Sequence, residues 1–381
     1  RIAILELAEN SSSSSPPYSI YMMALAAEAT EWTTPSLLDI DESSLSGPIA
    51  FAVASEGTAV IGWKINPELT LKSARYAFET DTLTPLNTIL LPTNAVDVGF
   101  IKSVIGPHGD VTLVFSARIG TSANYILFSS FLPAGGDTWT YPTMISNPDN
   151  TTTPLYLSID MDKNSNTFIV WGEVNTSNEA FVRTAILPFG GTLSTITDLA
   201  SAVAINEGET SCAGVSVDAF GNAVATWNQI IEGVSEVQVS SYETGGSWTE
   251  AETMTTTGYI PRIVLSDQGT AVATWVDTTT HYIYGSSNNI FSLNAPQSFG
   301  GYITVDEPTC TLNMHWSPSL APNIISYEIY RGEMLIANVS GSGPFTVSYP
   351  IDCSFVEGDY SIVAVGSNGN TSVPVGLVLA Y

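Results

Sequence analysis

The chain has 381 residues, of which 44% are hydrophobic and 12% are charged, so it is long enough for two or three buried cores. Its 37 acidic residues outnumber 10 basic ones and give a formal net charge of −27. A surface of this sign repels phosphate backbones and anionic lipids, so we do not expect nucleic acid or a membrane surface as a partner. No apolar run approaches the roughly 18 residues that cross a bilayer, so membrane insertion is not expected either.

The beginning of the chain contains two apolar segments, IAILELA and IYMMALA, separated by a loop rich in serine and proline. Both segments predict strands. The chain starts at Arg1 without the charged start, apolar stretch and cleavage site of a secretion signal. We interpret this as a processed or trimmed start, and we predict an extracellular or cell-surface location.

One pattern recurs five times between about residues 50 and 280: an apolar strand, a tight polar turn, and a strand of small residues that ends in an aromatic. The copies read FAVASEGTAVIGW, SVIGPHGDVTLVF, LSIDMDKNSNTFIVW, VSVDAFGNAVATW and IVLSDQGTAVATW. In four copies a glycine lies six residues before the aromatic, and in the third copy Ser165 takes that place before Trp171. Glycine and asparagine tolerate the positive φ of a tight turn, so each copy predicts a β-hairpin.

The spacing of the five hairpins predicts the architecture. The terminal aromatics are Trp63, Phe115, Trp171, Trp227 and Trp275. Successive intervals are 52, 56, 56 and 48 residues, and a second pair of strand-like segments follows the hairpins. Four strands in about 50 residues are the size of one propeller blade. We therefore predict an all-β protein with a β-propeller over residues 1–293. Six blades, with the N-terminal strands as part of the sixth, are favoured over five.

The tryptophans have two interpretations. Their flat faces could stack on sugars, or they could pack between blades. Trp316 lies in the C-terminal region, and the other seven occupy positions tied to the repeat: Trp32, Trp63, Trp139, Trp171, Trp227, Trp248 and Trp275. An aromatic residue that recurs at a fixed point of each unit favours packing.

Beyond residue 294 the pattern changes to TCTLNMHWSPS, ISYEIYRGE, GDYSIVAV and SVPVGLVL. These segments resemble a fibronectin type III domain, with Trp316 on the second strand, Tyr327 on the third and Tyr360 at the start of the sixth. The resemblance implies a β-sandwich over residues 294–381. It also implies that Trp316 lies in the core and that the Tyr360 hydroxyl bonds to the backbone.

The same resemblance suggests a disulfide bond between Cys310 and Cys353, which would lie on opposing sheets at nearby ends of the sandwich. Cys212 would remain a buried free thiol. The alternative is that all three cysteines are small core residues in a reducing compartment.

The hairpin repeat resembles a group of bacterial surface proteins whose blades carry D-x-x-G-N-A-x-A-x-W, seen here from Asp218 to Trp227. This resemblance implies a propeller and an exported location, and it implies no activity.

The turn of the third copy has oxygen-bearing side chains at alternate positions: Asp160, Asp162, Asn164 and Asn166. This spacing resembles the first half of a calcium loop. Ser165 stands where the glycine of such a loop belongs, and Trp171 stands where a glutamate would close the site. These departures favour the alternative, an ordinary polar hairpin loop. Calcium at this turn is the one cofactor that we consider.

Residues that carry out catalysis are hard to find in the sequence. An arginine clamp like that of sialidases needs three arginines on inner strands, and only Arg262 falls on a predicted inner strand, while Arg75 and Arg183 fall nearer the rim. The three histidines, His108, His281 and His315, are far apart. We therefore predict a non-catalytic structural or binding protein for adhesion, assembly or display, with protein partners or self-assembly and no enzyme activity. The alternative is a glycan-binding lectin or a sialidase-like, glycan-active propeller.

Overall fold

The computed structural model describes most of the chain between residues 2 and 379. The described residues are 2–9, 18–25, 31, 34, 36–40, 49–54, 57–65, 69–80, 82–146, 152–175, 177, 179–204, 213–231, 233–267, 269–289, 296–306, 309–319, 324–351, 359–367, 369, 371–372, 374–376 and 378–379.

The described part of the chain is all β, as the sequence predicts, with thirty strands and no helix. In these ranges there is accordingly no helix of the length and apolarity that a membrane span requires. The chain divides into two compact units. The first comprises Arg1–Tyr242, Ser247–Val264 and Ala273–Gly285, and the second comprises Glu243–Gly246, Leu265–Val272 and Ser286–Tyr381.

Up to residue 289 the strands form antiparallel meanders, in which neighbours in sequence are neighbours in the sheet. The first sheet has three strands: β1 (Ile2–Glu9), β2 (Tyr18–Leu25) and β3 (Ser36–Ile40). The second has four: β4 (Ile49–Val53), β5 (Thr58–Ile65), β6 (Thr70–Ala77) and β7 (Thr82–Pro85). The third has four: β8 (Ala95–Ile105), β9 (Val111–Ile119), β10 (Tyr125–Leu132) and β11 (Thr143–Met144).

Three further groups of strands continue the meander. The fourth group is β12 (Thr152–Met161), β13 (Thr167–Asn175), β14 (Glu179–Leu187) and β15 (Thr197–Ala204). The fifth is β16 (Ala213–Val217), β17 (Ala223–Ile231), β18 (Val234–Tyr242) and β19 (Glu252–Thr255). One pair, Ala204 with Ile230, joins these two groups into a single eight-stranded sheet. The sixth sheet is β20 (Gly258–Leu265), β21 (Thr270–Asp277) and β22 (Ile283–Asn289).

The five predicted hairpins close with the same turn. In each, the first turn residue donates its N–H to the carbonyl four residues later and accepts an N–H from three residues later; these first residues are Ala54, Gly106, Asp162, Asp218 and Ser266. The residue three positions on has a positive φ in every copy: Gly57, Gly109, Ser165, Gly221 and Gly269. This left-handed backbone explains why four of the five copies have glycine there. Ser165 adopts it at φ 62°.

Adjacent turns also contact each other. Ser165 Oγ donates to Asp110 Oδ2 of the preceding turn over 3.2 Å. On the other side, the Lys163 N–H reaches the Ala219 carbonyl at 3.4 Å, and the Lys163 ammonium lies 4.3 Å from the centre of the Phe220 ring. The turns of the third, fourth and fifth groups of strands therefore lie side by side.

Four of the five aromatics that end the repeats lie in hydrophobic cores, and the fifth, Trp275, is half-buried. Phe115, Trp171 and Trp227 are fully buried. Trp227 packs with Phe168 and Val170 of the preceding group of strands, while Trp171 packs with residues of the third sheet. Trp32 lies outside the described residues.

The second unit contains two four-stranded sheets. One has the order β27 (Thr346–Ile351), β24 (Thr309–Ser317), β23 (Gln297–Asp306), β30 (Val378–Leu379). The other has the order β26 (Met334–Ser340), β25 (Ile324–Arg331), β28 (Tyr360–Gly366), β29 (Val375–Gly376). Their shared core includes Trp316, whose ring lies 5.6 Å from that of Tyr327.

The hydroxyl of Tyr360 differs from the expectation. Tyr360 is buried in the same core, but among the described residues its oxygen has no hydrogen-bond partner. The predicted bond from this hydroxyl to the backbone is therefore not formed in the described part of the unit.

Of the two cysteines of the predicted disulfide bond, only Cys310 lies among the described residues. Cys310 is buried in β24 and lies opposite Ile351 of β27, so the two segments are adjacent strands of one sheet and not parts of opposing sheets. Cys353 and Cys212 lie outside the described residues. The Cys310–Cys353 bridge therefore stays a prediction.

Packing by the repeated aromatics predicts a large effect of Trp227→Ala. Removing this fully buried ring should lower the free energy of unfolding by about 3–5 kcal/mol, because a cavity replaces the contacts between two sheets. Urea unfolding measures this, with Tyr282→Ala as the control, since the Tyr282 side chain is 71% exposed. An unchanged stability of Trp227→Ala together with a loss of sugar binding would instead identify the ring as a sugar platform.

Candidate functional site

Four polar side chains converge where the second and third sheets meet, and we call them the Asp97 cluster: Lys64, Asp97, Arg118 and Tyr125. The Lys64 ammonium donates to Asp97 Oδ1 over 2.7 Å and to the Val98 carbonyl over 2.9 Å. Tyr125 Oη donates to Asp97 Oδ2 over 2.6 Å. The Arg118 guanidinium lies 4.0 Å from the same carboxylate oxygen. The Asp97 carboxylate thus accepts hydrogen bonds from an ammonium and a phenol and lies near a guanidinium.

The strands explain why these residues meet. Asp97 lies near the start of β8 and pairs with Arg118 near the end of β9, which pairs in turn with Tyr125 at the start of β10. The cluster therefore lies at the end of the third sheet that is opposite to its hairpin turn. Gly99 allows the close packing here, because a Cβ at this position would come within 2.6 Å of Ser116 Oγ and 3.2 Å of the Tyr125 ring.

The charges of the cluster hold Asp97 ionised. Burial opposes ionisation of this carboxyl, but hydrogen bonds from Lys64 and Tyr125 and the Lys64 charge outweigh it, so the pKa of Asp97 lies below its ordinary value. The same contact raises the pKa of Tyr125, because its phenolic proton is held by the Asp97 carboxylate. The proton therefore rests on the phenol.

Arg118 has hydrogen-bonding capacity to spare. Its side chain is 40% exposed, and its Nε is buried without a partner among the described residues. The other arginines that the sequence singled out bond within the protein. Arg75 donates to the Gly136 carbonyl, and Arg262 donates to its neighbour, the Pro261 carbonyl. No clamp of three arginines is therefore formed by the described residues.

A second group of charges lies on the fourth group of strands. Arg183 contacts Glu173 through Nη1 and donates from Nε to Asp198 over 2.8 Å. Glu173 is fully buried and also accepts the indole N–H of Trp171 at 2.9 Å. Since Glu173 has both donors in place, we interpret this group as a support for the fold.

Arg118 of the Asp97 cluster and Glu173 of the second group face the same layer, between the third sheet and the fourth group of strands. Thr167 Oγ1 donates to Thr112 Oγ1 over 2.8 Å, which joins β13 to β9. Side chains two residues apart share a face of a strand, so six residues further along these strands Arg118 and Glu173 face this layer as well. Val114 and Trp171, which pack together in between, are consistent with this alignment.

In the predicted calcium turn, Asp162 bonds to Asn164 and Asn166, whereas Asp160 bonds to the neighbouring strand. Asp160 Oδ2 accepts the Val217 N–H at 2.8 Å, and burial raises the pKa of this carboxyl. Asp162 accepts from the N–H groups of Asn164 and Asn166 and from the side-chain amide of Asn166. Asp218 holds Phe220 and Asn222 in the same way, without a calcium-like spacing. These contacts account for the turn as a polar hairpin, and calcium binding there stays a prediction.

In the described ranges no group of three or more His, Cys, Asp or Glu side chains is placed to hold a metal ion. His108 and His281 lie exposed on turns, and His315 lies exposed on β24, as expected for separate histidines.

Sequence reasoning missed Asp97 and Tyr125. They are 28 residues apart and belong to no repeat position, and Lys64 is 33 residues from Asp97. The only signal was a lysine directly after the repeated aromatic Trp63, where the corresponding positions of the other copies are uncharged.

No protein-family model matches the chain, and no curated protein matches it. Solved structures are similar in fold. An α-L-arabinanase from Penicillium chrysogenum is 12% identical, with 75% of this chain and 89% of that chain covered and a TM-score of 0.44. The β-propeller domain of the Trilobed protease from Pyrococcus furiosus is 8% identical, with 82% and 87% covered and a TM-score of 0.46. The Hadza microbial sialidase Hz136 is 11% identical, with 90% and 74% covered and a TM-score of 0.45.

These findings contradict the prediction of a non-catalytic structural protein without enzyme activity. The similar structures are mostly glycoside hydrolases, and an endo-arabinase and an exo-β-1,3-galactanase are further examples. That prediction rested on a missing arginine clamp and on histidines that lie far apart in the sequence. Neither observation excludes a site built from a carboxylate and a phenol. The similarities are remote, and they assign no residue of this chain to such a site.

The lowered pKa of Asp97 predicts a specific loss of stability in acid. A carboxyl whose folded pKa is depressed stabilises the fold above its unfolded value of about 3.9, and this contribution is lost as the pH falls through the folded value. Urea unfolding between pH 6 and pH 2 should show a smaller pH dependence for Asp97→Asn than for the wild type. Identical slopes for the two proteins would contradict the ion pair with Lys64.

Proposed function

We propose that the chain is a glycan-active β-propeller protein whose reactive site is the Asp97 cluster. The observation that carries this proposal is the hydrogen bond of 2.6 Å from Tyr125 Oη to Asp97 Oδ2, beside an arginine with spare donors. An ionised carboxylate, a phenol and a guanidinium are groups that bind sugar hydroxyls, and the partial exposure of Asp97 and Arg118 leaves the cluster open to a ligand.

The reaction that this geometry supports is attack by a phenol on a glycosidic carbon, a chemistry used by glycosidases with a tyrosine nucleophile. Tyr125 Oη would form a bond to the anomeric carbon while Asp97 takes its proton. The bond from that carbon to the leaving oxygen breaks, and the leaving oxygen takes a proton from water. Water then attacks the anomeric carbon and the bond from that carbon to Tyr125 Oη breaks. Asp97 returns its proton to the Tyr125 phenolate, and the proton of the attacking water neutralises the hydroxide left by the first step.

The remaining residues of the cluster orient these groups. Lys64 is almost fully buried and bonds both Asp97 Oδ1 and the Val98 carbonyl, so it holds the carboxylate in one position. Arg118 would donate to a hydroxyl or carboxylate of the sugar. A bound carboxylate would accept the hydrogen bond of the Arg118 Nε–H, which has no partner among the described residues.

The wider architecture and setting are part of the proposal. A propeller over residues 1–293, with six blades favoured over five, is supported by the successive meanders and their shared turn. A fibronectin type III-like sandwich over residues 294–381 is supported by the orders β27-β24-β23 and β26-β25-β28 and by the buried Trp316. An extracellular or cell-surface location and protein partners or self-assembly remain proposals that rest on the sequence.

The test is turnover of 4-nitrophenyl glycosides, including a sialoside, an α-L-arabinofuranoside and a β-galactoside, whose leaving group needs no protonation. We expect turnover of at least one substrate. Tyr125→Phe and Asp97→Asn should each lower kcat by at least about 100-fold, because one removes the attacking oxygen and the other its base.

Tyr282→Phe is the matched control, because it removes a phenolic oxygen from an exposed residue outside the cluster. Equal turnover in wild type and Tyr125→Phe would contradict the assigned role of the phenol. Sugar binding at this cluster without turnover of any substrate would reject the hydrolase and leave the lectin alternative.

A further inference from the structure

A cleft of about 230 Å³ opens at the other end of the third sheet, between β10, the segment that follows it and the 187–191 turn joining β14 to β15. We propose that this cleft binds one or two residues of a neutral carbohydrate. The inference goes beyond the proposed function, because the cleft contains none of the residues of the Asp97 cluster.

The chemistry of the lining indicates the class of ligand. Serine and threonine hydroxyls, including those of Ser129, Thr140 and Thr143, alternate with the aromatic rings of Phe131, Tyr141 and Phe189, and no charged side chain lines the cleft. The protein has 37 acidic residues, but none of them lines the cleft. A lining without charges fits an uncharged ligand better than a cation or an anion. Hydroxyls exchange hydrogen bonds with sugar hydroxyls, and aromatic rings cover the apolar faces of sugar rings.

The aromatic rings are placed to receive a ligand. Phe189 is 49% exposed and Tyr141 is 56% exposed, although both are large hydrophobic groups. The Phe189 ring meets Phe131 edge to face, with centroids 5.1 Å apart, so the turn and the strand form one wall. Tyr141 Oη lies 3.1 Å from Thr93 Oγ1, which fixes the second ring. Covering these exposed rings with a sugar would remove apolar surface from water.

The cleft is also held rigid. The Phe189 N–H donates to Asn166 Oδ1 over 3.2 Å, while Asp162 fixes the amide of Asn166. On the floor, Ser165 Oγ donates to Asp110 Oδ2, and Ser130 Oγ donates to the Thr140 carbonyl over 2.7 Å. A site that is ordered before binding loses less conformational entropy when a ligand arrives.

The cleft and the Asp97 cluster are separate. Thr112 lies at the cleft, and Arg118 lies six residues further along β9, which corresponds to about 20 Å of extended strand. Binding at one place can therefore be removed without touching the other.

The experiment is isothermal titration of the full chain with cellotetraose, xylotetraose and β-1,3-galactotriose. We expect at least one of them to bind. Phe189→Ala should weaken that binding about tenfold or more, because the ring that covers the sugar is lost. Tyr282→Ala should bind as the wild type does, because Tyr282 lies outside both the cleft and the Asp97 cluster. Since Phe189 is half exposed, its variant should keep the melting temperature of the wild type, and Thr143→Val is a second variant that alters the lining by one hydroxyl.

The proposal is overturned if none of the three oligosaccharides binds, or if Phe189→Ala and Thr143→Val both keep the wild-type affinity. Binding that is lost in Asp97→Asn and kept in Phe189→Ala would also overturn it, and would place the sugar in the Asp97 cluster. Conversely, failure of the Tyr125 chemistry with binding lost only in Phe189→Ala would reject the proposed function and support the cleft.

Discussion

The strands in the middle of the second to fifth groups are buried on both faces, as the fully buried positions of β9, β13 and β17 show. A polar side chain in a layer between two such sheets has no access to water, so it requires a partner in the layer. Thr112 and Thr167 meet this requirement with each other. Between the second and third sheets, the indole N–H of Trp139 donates to Ser73 Oγ over 2.9 Å. Such pairs determine how one sheet is placed along its neighbour.

Both sites follow from this alignment. At one end of the third sheet, the hairpin turns lie side by side, and the contacts of Ser165 and Asn166 shape the floor and one wall of the cleft. At the other end, the layer reaches solvent, and Lys64 crosses from the second sheet to meet Asp97.

The parts of the fold that depend on neighbours in sequence could be predicted. The fourth residue of the shared turn has a positive φ, which explains the glycine in four of the five copies. The recurring distance from this glycine to the following aromatic, as from Gly221 to Trp227, therefore located the hairpins. The burial of Trp227 followed from its recurrence. The sites could not be predicted in this way, because Asp97 and Lys64 meet only through the stacking of sheets. Asn166 illustrates the difficulty, since its spacing from Asp162 resembled a metal loop while its amide orders a neighbouring turn.

The alignment of the third sheet with the fourth group of strands is the central claim, since the cleft is lined by residues of both. A double-mutant cycle on Thr112→Val and Thr167→Val tests it by urea unfolding. If the two hydroxyls bond across the layer, each single variant leaves a buried hydroxyl without its partner, and the double variant should cost less than the sum of the single variants by about 1 kcal/mol. Strictly additive losses would show that the two strands do not meet there, and would contradict the account of the cleft.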